Sequence, residues 1–413
     1  MRRRLMLLTF VCVSTATPFS IHASFAQTPD EQVAPSSLIE SPVPTPRIDE
    51  PVPVESTKLD REDAVFMLGE LRRAVLASPN SADERLKLAQ GLYRIGDLDA
   101  ALDECRAALK LDSHNAGVYL QLGITLMAKQ DGHAAAIALM EAILLNPELT
   151  QAHYSLGSVQ YSLGNLTAAI QSYRRALDLQ PIFPDACYRL ALVLKLTNRH
   201  REAAQFMETA ATGGVPQAQY FLGNAYRNGQ GVEKNLALAI RWWNRAVEFG
   251  QPRAAESLSQ LRRQALSPDQ PERRRIDAIE AFKQYRAELW ADYPTVRRNH
   301  SSESLGIALL KDSQDTHGVA VLFAETFALS ETAHDELARI YETGLDTGLA
   351  QFDPRILRCF ATTAADGFIP SKKSLARIYG NGLGVTPDLQ KAKAMLKGLS
   401  KQEIKDVMDE IER

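Results

Sequence analysis

A spacing of 34 residues is the feature of this sequence that most restricts its fold. Counting from Ala82, pairs of a leucine and a small residue recur at this spacing as Leu88-Ala89, Leu122-Gly123, Leu156-Gly157 and Leu190-Ala191. Alanines recur at two further positions: Ala101, Ala135, Ala169 and Ala203, and then Ala108, Ala142, Ala176 and Ala210. Small residues at fixed intervals let two helices cross closely, and large apolar residues one turn away fill the gaps. The period therefore predicts stacked helix–turn–helix units.

Residues typical of turns and of helix ends recur in the same units. Asp97, Asp131 and Asn165 fall between the two helices of the first three units, where their side chains can cap. Pro147 and Pro181 fall where a second helix has to end. The pattern resembles the tetratricopeptide repeat. The resemblance implies four such units over residues 82–215, with residues 61–81 as an N-terminal capping helix.

A second repeat pattern begins near Pro216. It reads Ala218 to Gly223, then Asn228-Gly229-Gln230-Gly231-Val232, then Trp242-Trp243. This segment, residues 216–261, is similar to a Sel1-like repeat, a relative with a longer glycine-rich turn between its helices. Glycine allows positive φ in such a turn, and we expect the two tryptophans to pack across the crossing helices.

The C-terminal part, residues 304–400, carries weaker copies of the second pattern. Leu337 to Tyr341 recurs 38 residues later as Leu375 to Tyr379, and Cys359-Phe360 replaces the paired tryptophans. The loop from Thr343 to Gly348 departs from the pattern, so its geometry stays open. We expect a more degenerate copy from about Ser304 to Leu329, small-residue contacts at Ala392 and Ala394, and a final helix over residues 401–413.

An interruption of basic character separates the two blocks, at residues 262–303. Between Arg262 and His300, nine basic residues stand against six acidic ones. A helix is predicted from Glu272 to Asp292, with Ile276, Ile279, Phe282 and Leu289 on one side. We favour a capping helix with a solvated face. The alternative is a docking site for an acidic partner, including the chain's own acidic linker.

The first 60 residues predict export. Arg2 to Arg4 followed by a short apolar run and Ser24-Phe25-Ala26 is typical of a signal peptide, residues 1–26, cleaved after Ala26. An uncleaved anchor or an ordinary helix is the alternative. Residues 27–60 hold seven prolines and a net charge of −5, which is typical of an acidic, disordered linker. We therefore expect a periplasmic or secreted protein with no transmembrane segment after cleavage.

Motifs for catalysis and for metal or cofactor binding are missing from the sequence. It contains no H-E-x-x-H, G-x-S-x-G, Walker or EF-hand pattern, and its four cysteines form no C-x-x-C pair. A formal net charge of −3 gives no general attraction to nucleic acid. We expect no enzyme activity, no metal and no cofactor, with Cys105 and Cys187 as buried thiols and the redox state of these and Cys359 left open.

The resemblance also implies a binding surface, because first helices line the concave face of a tetratricopeptide superhelix. The candidate groove residues are Leu86, Tyr93, Leu120, Ile124, Met127, Tyr154, Tyr161, Tyr188, Arg189, Leu192 and Lys195. This set is apolar and rich in tyrosine, with two basic residues near one end. Such a surface suits an apolar helix or an extended peptide.

These features together predict an all-α helix–turn–helix repeat solenoid. Exported proteins of this combined type are similar to scaffolds of exopolysaccharide secretion and to regulators of sensor or motor complexes. The expected function is a non-catalytic protein–protein interaction scaffold associated with the cell envelope. The alternative is a cell-wall glycan- or peptide-binding protein, or a Sel1-type envelope hydrolase.

Overall fold

The computed structural model of the chain describes residues 61–300, 302–313, 317–345 and 348–412. The predicted signal peptide and linker lie outside these residues. The described residues form twenty-one α-helices, and one isolated antiparallel bridge joins Leu345 to Leu349. The all-α prediction is confirmed. No described helix is both long enough and apolar enough to cross a bilayer.

The helices follow one another through short connections. The first nine are α1 Arg61–Ala77, α2 Ala82–Arg94, α3 Leu98–Leu111, α4 Ala116–Ala128, α5 Gly132–Leu145, α6 Thr150–Ser162, α7 Leu166–Leu179, α8 Pro184–Leu196 and α9 His200–Thr212. The next five are α10 Pro216–Asn228, α11 Leu236–Glu248, α12 Pro252–Leu266, α13 Glu272–Ala291 and α14 Pro294–Asn299. The last seven are α15 Leu305–Ser313, α16 His317–Phe327, α17 Glu331–Thr343, α18 Pro354–Ala365, α19 Ile369–Asn381, α20 Leu389–Met395 and α21 Lys401–Ile411.

Helices α2 to α9 form four antiparallel pairs with the small residues at their crossings. Ala101, Ala135 and Ala169 are fully buried. A side chain at Gly157 would meet the ring of Tyr173 at 2.8 Å, so the small residue admits the large one. Asp97 and Asp131 accept the predicted capping hydrogen bonds, from the amides of Ala100 and Ala134. Asn165 stands at the same position but makes no side-chain cap.

The turn of the Sel1-like unit, between α10 and α11, is built by glycines in the left-handed region. Gly229 has φ 70° and Gly231 has φ 77°, while Gly382 and Gly384, in the turn between α19 and α20, have φ 69° and 66°. The residue that starts the second helix bonds back to the first helix in both turns. The Asn235 amide donates to the Tyr226 carbonyl at 2.9 Å, and the Asp388 amide to the Tyr379 carbonyl at 2.7 Å. The two turns therefore share one backbone geometry, as the sequence predicts.

The turn between α17 and α18 keeps one part of this geometry. The Phe352 amide donates to the Tyr341 carbonyl at 2.8 Å, and Gly344 has φ 76°. Beneath the turn, Cys359 and Phe360 are buried at the positions that Trp242 and Trp243 occupy in the first Sel1-like unit. The helix pair forms although its loop sequence departs from the pattern.

Helix α13, in the basic interruption, ends one residue before the predicted end and packs on α11 and α12. Its buried side is Ala278, Ala281, Phe282 and Tyr285, with Ile279 and Leu289 at the edge of the same core. The prediction for Ile276 is wrong, since 48% of that side chain is exposed. The buried side of α13 is therefore rotated away from Ile276. The small side chains of Ala278 and Ala281 let α13 approach α11 and α12 closely, and Phe282 and Tyr285 fill the space beside them.

The final helices also pair, α15 with α16 and α19 with α20. Gly306 allows α16 to approach so closely that an added side chain would meet the Leu322 backbone amide at 2.5 Å. Ala392 is fully buried against α19, as expected. The prediction for Ala394 is wrong, because that residue is exposed. Helix α20 is only seven residues long, and α21 covers its apolar side through Val407 and Met408.

A buried ion pair joins the C-terminal helices to the middle of the chain. Arg262 on α12 donates from Nε to Asp366 Oδ2 at 2.7 Å, and both side chains are about 95% buried. The Arg262 guanidinium also stands over the ring of Phe327 on α16, 5.6 Å from its centroid. Ser259 donates to the other oxygen of Asp366. This contact fixes how the second set of Sel1-like helices stacks on the first.

Candidate functional site

The predicted groove residues all lie on the first helices of the four tetratricopeptide-like pairs. Leu86 and Tyr93 lie on α2, and Leu120, Ile124 and Met127 on α4. Tyr154 and Tyr161 lie on α6, while Tyr188, Arg189, Leu192 and Lys195 lie on α8. Nine of these eleven side chains are partly buried, so each keeps some surface for a partner.

Tyr188 and Leu192 are the two exceptions. Both are more than 90% buried, in a core cluster with Met207 and Leu222. They pack between α8, α9 and α10 and offer little surface. The resemblance alone did not distinguish these two residues from the other nine. The position of a residue in its repeat determines which way its side chain points, whereas packing against the next repeat determines how deeply that side chain is buried.

Aromatic rings concentrate between α6 and α8. The Tyr154 ring lies 4.9 Å from the Phe183 ring and 5.9 Å from the Tyr173 ring, centroid to centroid. Tyr173 is fully buried and its hydroxyl donates to Ser158 Oγ at 3.1 Å. Burial raises the pKa of Tyr154 and Tyr161, so both hydroxyls stay protonated at neutral pH. Tyr173 thus supports a surface that Tyr154 and Tyr161 present.

Arg189 places a positive charge among these rings. Its guanidinium lies close enough to both tyrosines to offset part of the burial that raises the pKa of Tyr154 and of Tyr161. Its Nε is buried and has no hydrogen-bond partner among the described residues. No described carboxylate forms an ion pair with it. We call Tyr154, Tyr161, Tyr173 and Arg189 the tyrosine–arginine cluster.

A second cation extends the surface toward α10. Lys195 Nζ stands 5.3 Å from the centroid of Phe221, and burial lowers the pKa of Lys195. Phe221 in turn packs on Tyr188 at 6.3 Å and on Tyr220 at 5.5 Å. Like Arg189, Lys195 forms no ion pair with a carboxylate in the described part of the chain. Two cations on α8 therefore lie beside aromatic rings, and the opposite charge of Asp185, one turn before Arg189 on the same helix, also acts on Tyr154.

Sequence reasoning missed Phe183 and Phe221. Phe183 precedes α8, outside the helix positions that the resemblance assigns to the groove. Phe221 lies on α10, in the Sel1-like unit. Tyr220 and Phe221 occupy the same positions in α10 as Tyr188 and Arg189 do in α8. Extending the groove positions into the Sel1-like unit would therefore have predicted Phe221, but not Phe183.

The three cysteines in the described part of the chain are packing residues. Cys105, Cys187 and Cys359 are buried and unpaired, which confirms the prediction for the first two. Burial raises the pKa of Cys105 and of Cys359 to about 12, so neither forms a reactive thiolate at neutral pH. In the described residues no three side chains of His, Cys, Asp or Glu come together as a metal site.

Three carboxylates gather where α15 begins, and two of them serve that helix. Glu325, on α16, accepts from the amides of Leu305 and Gly306 at 3.1 and 3.0 Å. Glu336, on α17, accepts from the amide and the hydroxyl of Ser304, and Glu303 forms an ion pair with Lys311 at 2.5 Å. Burial raises the pKa of Glu325 and Glu336. The arrangement caps a helix N-terminus and lines no groove.

A cavity of about 420 Å³ opens between α16 and α18. Phe323 and Phe327 form its apolar side and Arg355 and Arg358 part of its polar side. Arg355 already pairs with Asp353 at 2.7 Å, which holds the pKa of that carboxyl below its usual range. Arg358 forms no ion pair with a described carboxylate and donates from Nε to the Pro354 carbonyl at 3.4 Å.

Comparison with known proteins agrees with the helix pairs. A tetratricopeptide repeat family model matches residues 120–186, and a Sel1 repeat model matches residues 216–248 and 374–397. Tetratricopeptide repeat protein 33 of Xenopus laevis is 32% identical over 130 residues, which cover 31% of this chain and 50% of that protein.

A second relative is a type IV pilus assembly protein, PilF of Pseudomonas aeruginosa. It is 29% identical over 154 residues, covering 37% of this chain and 61% of that protein. A solved structure from the functional characterisation of Pseudomonas aeruginosa PilF aligns at 25% identity with a TM-score of 0.38, covering 56% of this chain and 92% of that one. The chain thus spans between half and about three fifths of these two curated relatives. With its paired helices and glycine turns, it is a helical-repeat protein that carries tetratricopeptide and Sel1 repeats.

Proposed function

We propose that this chain is an exported interaction scaffold of the bacterial envelope that binds a protein segment along α6, α8 and α10. The proposal rests on the tyrosine–arginine cluster. There, the partly exposed rings of Tyr154 and Tyr161 lie near a guanidinium that forms no ion pair with a described carboxylate. Tetratricopeptide repeats act as protein-interaction scaffolds, and a solenoid presents its extended inner surface for that purpose.

The bound segment is an apolar helix or extended peptide that carries one acidic side chain. Tyrosine rings bind apolar side chains with little loss of side-chain entropy. A partly buried guanidinium that forms no ion pair with a described carboxylate favours a carboxylate of the partner, since charge-assisted hydrogen bonds are the stronger ones. The acidic residue would meet Arg189, and Lys195 would meet the next polar group along the segment.

Export to the periplasm or outside the cell is part of the proposal and rests on residues 1–26. The envelope complex itself is open among exopolysaccharide secretion, a sensor or motor complex, and pilus assembly. The similarity to a type IV pilus assembly protein supports testing the last of these first.

A pull-down tests the groove. The exported chain, beginning at Gln27, is the bait for solubilised envelope, and Arg189→Gln and Tyr161→Ala are the test variants. We expect one stoichiometric protein with the unsubstituted chain, and about tenfold less of it with either variant, because each removes a contact at the centre of the surface.

The control is Arg175→Gln, which removes an exposed arginine from α7, a second helix. It should recover as much partner as the unsubstituted chain. Circular dichroism checks that all variants fold. Equal recovery by Arg189→Gln and the unsubstituted chain would show that the groove is assigned wrongly. Retention on purified peptidoglycan with no protein partner would favour the cell-wall-binding alternative.

A further inference from the structure

Helix α5 carries an apolar stripe that no part of the described chain covers. Ile137, Met140 and Leu144 are 61%, 51% and 74% exposed, and their spacing of three and four residues places them on one face. The opposite face of α5 is packed, since Ala135, Leu139 and Ala142 are fully buried. An amphipathic surface helix normally turns charged residues outward.

The other repeat units follow that rule at the same positions. One unit earlier, α3 has Asp103, Arg106 and Lys110 where α5 has Ile137, Met140 and Leu144. One unit later, α7 has Gln171, Arg174 and Asp178. The helix–turn–helix fold therefore does not need aliphatic residues there. Three large apolar side chains at these positions on one unit mark an interface.

We infer that the α5 stripe binds the α5 stripe of a second copy of this chain, in an antiparallel pair about a twofold axis near Met140. Ile137 and Leu144 stand three and four residues to either side of Met140, so antiparallel pairing sets Ile137 of one copy against Leu144 of the other. A twofold interface requires such self-complementarity, because the same patch has to meet itself.

The polar residues at the two ends of the stripe fit the same arrangement. His133 is exposed at the start of α5, and Glu148 is exposed just beyond its end. Antiparallel pairing brings the histidine of each copy toward the glutamate of the other. Glu141 is exposed beside the stripe, and the same pairing brings it toward Glu141 of the other copy. These two like charges oppose association.

Three aliphatic side chains make a small interface. Stable interfaces bury about 800 Å² on each partner, so we expect a weak dimer with a dissociation constant on the order of 10–100 µM. The surface lies on a second helix, apart from the groove that the first helices line. Dimerisation would present two grooves on one particle, which strengthens binding to a partner with repeated segments.

Sedimentation velocity on the exported chain tests the inference, from about 2 µM to about 200 µM. The key variant is Ile137→Gln/Met140→Arg/Leu144→Lys, which uses residues that the chain itself places at these positions in its neighbouring units. We expect the unsubstituted chain to dimerise and the triple variant to bind itself at least tenfold more weakly. Glu141→Gln should bind itself more tightly than the unsubstituted chain.

Disulfide trapping locates the axis. The three cysteines in the described residues are buried, so Met140→Cys adds an accessible thiol close to the axis. Under mild oxidation it should form covalent dimers. Arg106→Cys, at the equivalent position of α3, should form no covalent dimer.

The inference is overturned by a monomeric unsubstituted chain at about 200 µM, which would assign the stripe to another protein or to a membrane surface. It is equally overturned if the triple variant dimerises as tightly as the unsubstituted chain. The groove variant Tyr161→Ala should dimerise normally, which separates this result from the proposed partner binding.

Discussion

Single glycines decide the shape of the Sel1-like turns. Gly229 and Gly231 both have positive φ, but only Gly231 also lies against another helix. A side chain there would overlap the His200 carbonyl at the start of α9, whereas one at Gly229 would have its nearest neighbour at 3.6 Å. The turn therefore needs glycine twice, for two different reasons.

Replacing each glycine by alanine separates the two reasons. Gly229→Ala should lower the free energy of unfolding by about 1–2 kcal/mol, the cost of a left-handed alanine. Gly231→Ala should lower it by about 2–3 kcal/mol more, because backbone has to move as well. Urea unfolding measures both. Equal losses at the two positions would contradict the contact with His200.

At the scale of the helix, α15 depends on side chains from its neighbours. Its first two amides bond to Glu325 of α16, a side chain that is 98% buried. A buried carboxylate is a costly cap, and burial raises its pKa despite the two hydrogen bonds and the nearby Arg286. The cap on α21 is the opposite case. There, partly exposed Glu403 accepts hydrogen bonds from Ser400 and Lys373, which lower its pKa to about 2.

These opposite shifts predict opposite pH dependence. A raised pKa means that the folded chain holds the Glu325 proton more tightly, so its stabilisation declines as pH rises above the ordinary value of 4.5. The lowered pKa of Glu403 stabilises the fold above 4.5, an effect lost as pH falls toward 2. Relative to Glu325→Gln, the unsubstituted chain should lose stability as pH rises above 4.5. Relative to Glu403→Gln, it should lose stability as pH falls from 4.5 toward 2.

Urea unfolding at a series of pH values measures both differences, and each variant serves as the control for the other. The same sign of change for the two variants would show that one of the pKa directions is wrong.

At the scale of the whole molecule, the buried pair of Arg262 and Asp366 connects residues 104 positions apart. Each repeat otherwise contacts mainly its neighbours, as in other solenoids. Removing one partner of a buried pair leaves an uncompensated charge in the interior.

Asp366→Ala should therefore lower the free energy of unfolding by about 3–5 kcal/mol. The loss should appear as faster amide hydrogen exchange in α12 and α18, with little change in α4 and α5, because stability in a solenoid is local. Asp103→Ala is the control, since its pair with Arg106 is exposed and should contribute no more than about 1 kcal/mol. Uniform loss of protection along the chain would contradict the local role of the pair.

Much of the groove and of the repeat architecture was predictable because its determinants are close in sequence. The 34-residue spacing placed α2 to α9, and all eleven candidate groove residues do lie on first helices. Depth of burial was not predictable. Tyr188 and Leu192 are buried by α9 and α10, while Phe183 joins Tyr154 from the connection before α8.

The sequence by itself determined the helix pairs, the glycine turns and the packing of the cysteines, since small residues and glycines act through contacts within one unit or between adjacent units. Only the tertiary structure decided that Ile276 and Ala394 face solvent, that the α5 stripe is left uncovered, and that Arg262 meets Asp366. Those outcomes depend on the rotation that each helix pair adds to the stack. That rotation arises from side-chain packing summed over many units, and no single spacing in the sequence encodes it.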